Sequence, residues 1–267
     1  MWDSLFRIFT ELSSRPVVAR LAGTLAKSAF SRRLIPKFIS LYRIAADEAE
    51  LPLEEYASLN DFFIRKLKEG ARPVDPDERS VVSPVDGTVA EAGTIEQDQS
   101  FVVKGQPYTV SELLNGSPHA VRYRGGYFAV IYLSPSNYHR IHSPVDAEVI
   151  ETDRIPGKVY PVNDPSMRLM RQVLSRNARL VTYLKHAEGT LALVKVGAMN
   201  VGSIQYAAGE KPPAALPKGE ELAYFEFGST VVLLWEPGSF IPSDRLVAGE
   251  AVRMGEKIGT IGHADDR

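Results

Sequence analysis

Lys218-Gly219-Glu220-Glu221-Leu222-Ala223-Tyr224-Phe225-Glu226-Phe227-Gly228-Ser229-Thr230-Val231-Val232-Leu233-Leu234-Trp235 holds two strand-like runs separated by a Gly-Ser break. Leu222–Phe227 and Thr230–Trp235 are of strand length and rich in β-forming residues. The pattern extends outward in both directions. Upstream, from Arg79 onward, short β-type runs alternate with Gly and Pro: Val81-Val82, Thr88–Ala90, Phe101–Val103, Tyr127–Leu133, Ala147–Thr152, Leu180–Leu184, Leu191–Val196 and Ser203–Tyr206. Downstream lies Lys257–Ile261. Turn signals at such short intervals predict a sandwich or partly closed barrel. Ala251–Gly259 resembles the hairpins of lipoyl-type barrels. Thr109–Leu114 is expected to form a short helix. Asn163–Asn177, rich in Met and Arg, reads as a loop or lid.

The first 48 residues have a different texture. Trp2, Leu5, Phe6 and Phe9 recur at helical spacing, as do Leu34, Phe38 and Leu41. A further helix is expected from Ser58, capped with Asp61 three residues on, running through Phe62–Leu67 and stopping at Gly70. Pro73 and Pro76 mark Ala71–Glu78 as a connector. The expected fold class is therefore α+β: N-terminal helices (1–78), then a β-rich sandwich or partly closed barrel core (79–267) with lipoyl-like hairpins.

Charge separates the two regions further. The 267-residue chain carries a formal net charge of −2. Residues 1–43 contain eight Lys and Arg against Asp3 and Glu11, which is +6 at one end and −8 elsewhere. Basic amphipathic helices of this kind suit an anionic membrane surface, and they also suit packing on the protein's own core. No apolar run approaches the ~18 residues a membrane span needs, and no secretory signal is read. The near-neutral total argues against a nucleic-acid partner. The absence of cysteine excludes disulfides, thiolate nucleophiles and cysteine metal sites.

Three segments carry candidate chemistry. Gly228-Ser229 is ordinarily a turn or bulge. A serine hydroxyl after glycine, however, can attack the preceding carbonyl when a base removes its proton, making an ester by N→O acyl shift. Elimination and hydrolysis then leave a pyruvoyl group at a new N-terminus. Tyr138-His139-Arg140-Ile141-His142-Ser143-Pro144 supplies two imidazoles, His142 being the candidate base. His-x-x-His also suits a metal, but a full ligand set would have to come from distant residues, and no metal is expected. Asp86, within Ser83-Pro84-Val85-Asp86-Gly87, is either an Asx-turn residue or the carboxylate that orients an imidazole. His119, His186 and His263 read as structural.

These segments, with Ser58–Arg65, Arg72-Pro73, Val196–Ser203 and Lys218–Glu221, resemble the phosphatidylserine decarboxylase proenzymes over most of the chain. The resemblance implies self-cleavage between Gly228 and Ser229 into a β chain (1–228) and an α chain (229–267), with Ser229 converted to pyruvoyl. It implies that Asp86 and His142 activate Ser229 during maturation, and that His139 handles the proton in decarboxylation. The pyruvoyl group would act as the electron sink that turns phosphatidylserine into phosphatidylethanolamine and CO₂. The enzyme is then expected on the cytoplasmic face of the cell membrane as a peripheral protein. Its partners would be phosphatidylserine and the anionic surface, with a homodimer among the assemblies allowed. Phe227 departs from the family's more usual Leu, without expected loss of cleavage. The alternatives are an uncut Ser-His-Asp hydrolase, disfavoured because no Gly-x-Ser-x-Gly elbow surrounds Ser229, and a non-catalytic lipoyl-like or membrane-binding module.

Overall fold

The computed structural model describes residues 23–198, 204–226 and 229–262. Its centre is an eight-stranded antiparallel sheet in the order β11-β7-β8-β9-β13-β5-β2-β15, open at both edges. These strands are β2 (Gly87–Thr94), β5 (Tyr127–Leu133), β7 (Ala147–Ile155), β8 (Arg179–His186), β9 (Gly189–Gly197), β11 (Ala215–Leu216), β13 (Ser229–Trp235) and β15 (Ala251–Val252). Every residue of β13 is buried. The cause is its central position between β9 and β5, where apolar side chains are required on both faces.

Two three-stranded sheets cover one face. One pairs β1 (Ser80–Val82), β16 (Lys257–Ile261) and β14 (Phe240–Pro242). The other pairs β6 (Arg140–His142), β12 (Glu221–Phe225) and β10 (Ile204–Tyr206). Val81, Ile141, Phe225 and Ile258 from the small sheets meet Ile131, Leu193, Val231 and Leu233 of the large one in a single apolar cluster. This is the expected sandwich; the large sheet does not close into a barrel. The opposite face is covered by the hairpin β3 (Ser100–Val103) and β4 (Gln106–Thr109), by a short helix Val110–Leu113, and by the segment 160–176. Its larger part, Asn163–Asn177, reads from sequence as a loop or lid. It instead forms helices Asp164–Leu169 and Val173–Arg176, and buries Met167, Met170, Val173 and Leu174 in the core. Apolar burial on this scale fixes it in place.

The strands form two halves related by a pseudo-twofold axis. The order of the large sheet is palindromic about β9/β13, and β1-β16-β14 corresponds to β6-β12-β10. Ser83-Pro84-Val85-Asp86 recurs as Ser143-Pro144-Val145-Asp146. The hydrogen bonds recur with it. Val82 N–H donates to the Pro144 carbonyl and His142 N–H to the Pro84 carbonyl, both at 2.9 Å. Asp86 accepts from Met254 N–H at 2.9 Å, and Asp146 accepts from Lys218 N–H at 2.8 Å. Gly255 (φ +87) and Gly219 (φ +82) are also equivalent. Both need a left-handed backbone, and a Cβ on either would collide with the Pro73-Val74 connector.

One half is inserted into the other. In the second half, β8 and β9 are joined by a tight turn that pairs His186 with Gly189. The equivalent pair in the first half is Leu133 and Ser229, and the whole second half lies between them. Ser229 is thus the residue at which the interrupted first half resumes. A cut before it would remove no strand from any sheet.

The described N-terminal region carries several short helices. It includes 3₁₀ turns at Ala29–Leu34 and Ala46–Glu48, the α-helix Ile35–Tyr42, and the α-helix Leu59–Phe63. Ser58 caps the last as expected: its side chain accepts from Asp61 N–H at 3.1 Å, and Asp61 accepts from Ala57 N–H at 2.9 Å. That helix is shorter than expected. After Ile64 the chain turns extended, and Leu67 forms a β-bridge with Ala49, so backbone pairing overrides helix propensity. Trp2, Leu5, Phe6, Arg7 and Phe9 lie outside the described residues.

Candidate active site

Ser229 opens β13 and pairs with Gly197 and Leu133. Strand alternation turns its side chain to the same face as Val231 and Leu233, toward the small sheets. There it meets His139, which immediately precedes β6. Ser229 Oγ and His139 Nδ1 are 3.3 Å apart, and both residues are fully buried. The other ring nitrogen, Nε2, lies 3.0 Å from the Ser134 carbonyl. A carbonyl only accepts, so Nε2 carries the proton. Nδ1 therefore presents its lone pair to the serine hydroxyl. Burial, aided by the nearby Arg65 charge, pushes His139 down to about 3, so the ring is neutral at physiological pH. Phe63 stacks on it at 4.0 Å between centroids and fixes its plane. Phe63 in turn lies 6.2 Å from Phe38 of the N-terminal helix Ile35–Tyr42, a direct route from that arm to the site.

His142 and Asp86 are nearby but otherwise engaged. His142 Nδ1 donates to the Gly219 carbonyl at 2.8 Å, and Nε2 accepts from the Tyr138 hydroxyl at 3.0 Å. Both ring nitrogens are thus occupied. Burial lowers this imidazole as well, against the opposing bond to Gly219. Asp86 is gripped by Arg72: Nε lies 2.9 and 3.0 Å from its two oxygens, and Nη2 lies 2.6 Å from Oδ2. Arg72 also reaches Glu48 at 2.8 Å. Burial opposes the charge on Arg72, but the bonds to Asp86 and Glu48 outweigh it and hold the guanidinium above its ordinary value. Removing one partner of such a buried pair costs about 3–5 kcal/mol.

Hydroxyl, imidazole and carboxylate are therefore distributed otherwise than the sequence reading expects. Ser229 meets His139 rather than His142, and Asp86 closes a turn onto Met254 N–H while bound to Arg72. The pseudo-twofold explains the turn, since Asp146 does the same in the other half. Gly228 and Phe227 lie outside the described residues, as do Met199–Ser203 and His263. His119 is paired with Glu151 at 2.8 Å and stacked on Tyr183, a structural setting. Sequence reasoning did not single out Phe63, Arg65, Arg72 or Tyr138 individually, although each lies in a quoted motif. Contacts across long sequence separations reveal the roles of Phe63, Arg65 and Arg72, and the local bond to His142 that of Tyr138. Among the described residues, no group of three His, Asp or Glu side chains is placed to hold a metal ion.

The depressed histidines have a consequence for stability. An imidazole that is buried neutral takes up a proton more readily in the unfolded chain. Its contribution is present above the ordinary value of 6.5 and is lost as pH falls toward the folded value, about 3 for His139. In that window each pH unit costs about 1.4 kcal/mol per such histidine. Thermal melts of Ser229→Ala, whose covalent state is constant, are expected to fall from pH 7 to pH 5. Adding His139→Gln should make that fall shallower. An unchanged slope would show that His139 does not titrate differently on folding.

Fold and site together define a β-rich chain in which a buried serine–imidazole pair sits at the end of a central strand, the kind of arrangement that activates a hydroxyl as nucleophile. The family model described as phosphatidylserine decarboxylase matches residues 59–260. The phosphatidylserine decarboxylase proenzyme of Geobacillus kaustophilus is 44% identical over 264 residues, 98% of each chain. That of Halalkalibacterium halodurans is 44% identical over 260 residues, covering 97% of this chain and 99% of the relative. That of Bacillus mycoides is 43% identical over 260 residues, covering 97% and 98%. The chain belongs to the phosphatidylserine decarboxylase family.

Proposed function

We propose that this chain is a phosphatidylserine decarboxylase that cuts itself between Gly228 and Ser229 and carries a pyruvoyl group made from Ser229. The observation that carries the reading is the buried Ser229–His139 contact at the point where the interrupted half of the sandwich resumes. Ser229 suits the precursor: its hydroxyl is shielded from water and already faces a neutral ring nitrogen. In the cleavage, Ser229 Oγ bonds to the Gly228 carbonyl carbon, the C–N bond breaks, and the hydroxyl proton passes to the departing nitrogen. Loss of the Ser229 Cα proton then expels the Gly228 carboxylate from Cβ. Water enters and ammonia leaves, producing the new α-keto terminus. That group supplies the electron sink for the charge left when CO₂ departs from the substrate amine.

We assign activation of Ser229 during maturation to Asp86 and His142, and proton handling during turnover to His139. His139 Nδ1 supports the second role, since it stands beside the atoms that become the cofactor. The first role requires Asp86 to leave Arg72 and His142 to leave Tyr138. A second reading makes His139 the base for cleavage too, and the 3.3 Å contact favours it. Resolving the His139→Ala and His142→Ala chains on a denaturing gel separates the two: our assignment has the first cut and the second intact.

We place residues 1–78 as a membrane-associating arm and 79–267 as the catalytic domain, with the two chains from one precursor remaining together. Among the described residues no helix is long and apolar enough to cross a membrane. The arm nevertheless exposes Leu25, Phe30, Leu34 and Leu41, with Arg32, Arg33 and Lys37 beside them. Apolar side chains that dip into lipid between cations suit peripheral docking on an anionic leaflet, as at the cytoplasmic face of a cell membrane. Each such side chain is worth about 1 kcal/mol or more, so Phe30→Ser, Leu34→Ser and Leu41→Ser together should weaken binding to phosphatidylserine-containing vesicles about a hundredfold. Flotation with unchanged affinity would remove this face from the docking surface. The purified enzyme is expected to release CO₂ from phosphatidylserine; a cut chain that releases none would refute the assigned activity.

A further inference from the structure

Arg65 is an unspent cation beside the site. It follows the helix that carries Phe63, and only 4% of its surface is exposed. Among the described residues its Nε and Nη1 have no hydrogen-bond partner. Nη2 makes one long contact, 3.4 Å to the Ser136 carbonyl, and the guanidinium lies 5.0 Å from the Phe62 ring. The carboxylates whose charges it feels, Asp86 and Glu48, are already bonded to Arg72. A buried guanidinium with open donors and no anion of its own is costly to keep, and it is set up to receive an anionic ligand.

Its position says which ligand. Arg65 and His139 grip the same short loop, one at the Ser136 carbonyl and the other at the Ser134 carbonyl. The Arg65 charge acts directly on His139, whose Nδ1 stands 3.3 Å from Ser229 Oγ, so a headgroup that reaches Ser229 comes within range of the guanidinium. The lipid headgroup brings two anions, a carboxylate and a phosphodiester. A cation on the carboxylate would stabilise the charge that must be lost as CO₂ forms, binding the ground state better than the transition state. The phosphodiester keeps its charge throughout and offers two non-bridging oxygens to the open donors.

We propose that Arg65 binds the phosphodiester of the substrate headgroup and so positions the serine moiety at residue 229. The proposal rests on the decarboxylase reading above. The test compares wild type, Arg65→Gln and Arg65→Lys on two substrates: phosphatidylserine, and an O-alkyl serine that lacks phosphate. Self-cleavage is followed in parallel. The Gln variant should still be cut. Its kcat/KM for phosphatidylserine should fall about a hundredfold, mainly through KM, with less than about a threefold change on the phosphate-free substrate. The Lys variant, which keeps the charge but loses the planar donor array, should fall less and with the same selectivity. If the Gln chain does not fold, the Lys chain decides. Equal losses on both substrates, or no loss on either, would overturn the proposal. A wild-type chain that is cut but releases no CO₂ from phosphatidylserine would instead overturn the decarboxylase reading.

Discussion

Ser229→Ala is expected to yield a single uncut chain with no decarboxylase activity. No other group can stand in for the hydroxyl, because the attacking oxygen must sit on the residue whose own peptide bond breaks. The fold should survive the change. The substitution removes one 3.3 Å contact to His139 from a strand held on both sides by β5 and β9. The loss on the stability side is that of an ordinary hydrogen bond, about 1 kcal/mol. Circular dichroism and a melting curve like those of wild type would show that the missing cut is a chemical failure. A substituted chain that still splits at 228/229 would show that the nucleophile lies elsewhere.

His139→Ala is expected to be cut into two fragments yet to decarboxylate about 10²- to 10⁴-fold more slowly, the usual worth of a positioned proton-transfer group. The ring is neutral and buried, locked by Ser134 and Phe63, with Nδ1 on Ser229, the residue proposed above as the cofactor precursor. Truncation empties that position without touching the Arg72–Asp86 pair or the Tyr138–His142–Gly219 chain. The measurement is CO₂ release per mole of cut enzyme, so that incomplete maturation does not count as slow turnover. A chain that is no longer cut would transfer His139 to the processing machinery and favour the second reading of the Ser229 contact. A chain cut and fully active would remove it from catalysis.

Much of the fold is legible in the sequence because the strands alternate or run continuously apolar between Gly and Pro. All eleven runs read as strands between Val81 and Ile261 overlap strands, from Val81-Val82 to Lys257–Ile261, with Ser203 and Phe227 of two runs outside the described residues. The ones missed are Gln106–Thr109, Arg140–His142, Ala215–Leu216 and Phe240–Pro242, while Ala251–Val252, expected within the Ala251–Gly259 hairpin, pairs with β2 instead of with Lys257–Ile261. None exceeds four residues, too few for a period to register. The helix after Ser58 reads longer in sequence than its Leu59–Phe63 extent because Arg65, Lys66 and Leu67 are good helix formers locally. Bridging to Ala49, a tertiary fact, ends it. The pseudo-twofold left one clear trace, the repeated Ser-Pro-Val-Asp, but insertion of one half into the other destroys the fixed period by which repeats are usually found.

The site was half legible. Gly228-Ser229 stands out because the chemistry proposed for it is local, one residue acting on its own peptide bond. Which imidazole meets it is set by the stacking of sheets, and His139 and His142 cannot be told apart by spacing. The bond between Arg72 and Asp86 was equally hidden. An Asp in a Pro-Val-Asp-Gly turn looks the same whether it faces an imidazole or a guanidinium. The Phe38–Phe63–His139 succession likewise joins the helix Ile35–Tyr42 to the buried imidazole only once the chain is folded.

The claim on which the account stands is that residue 229 becomes the blocked end of a second chain. Intact-mass analysis of the purified protein tests it most directly. The account predicts two species, residues 1–228 and 229–267, the smaller one lighter by one ammonia than a serine-initiated fragment and refractory to Edman sequencing. A preparation that decarboxylates phosphatidylserine while its mass remains that of a single unmodified chain would contradict it.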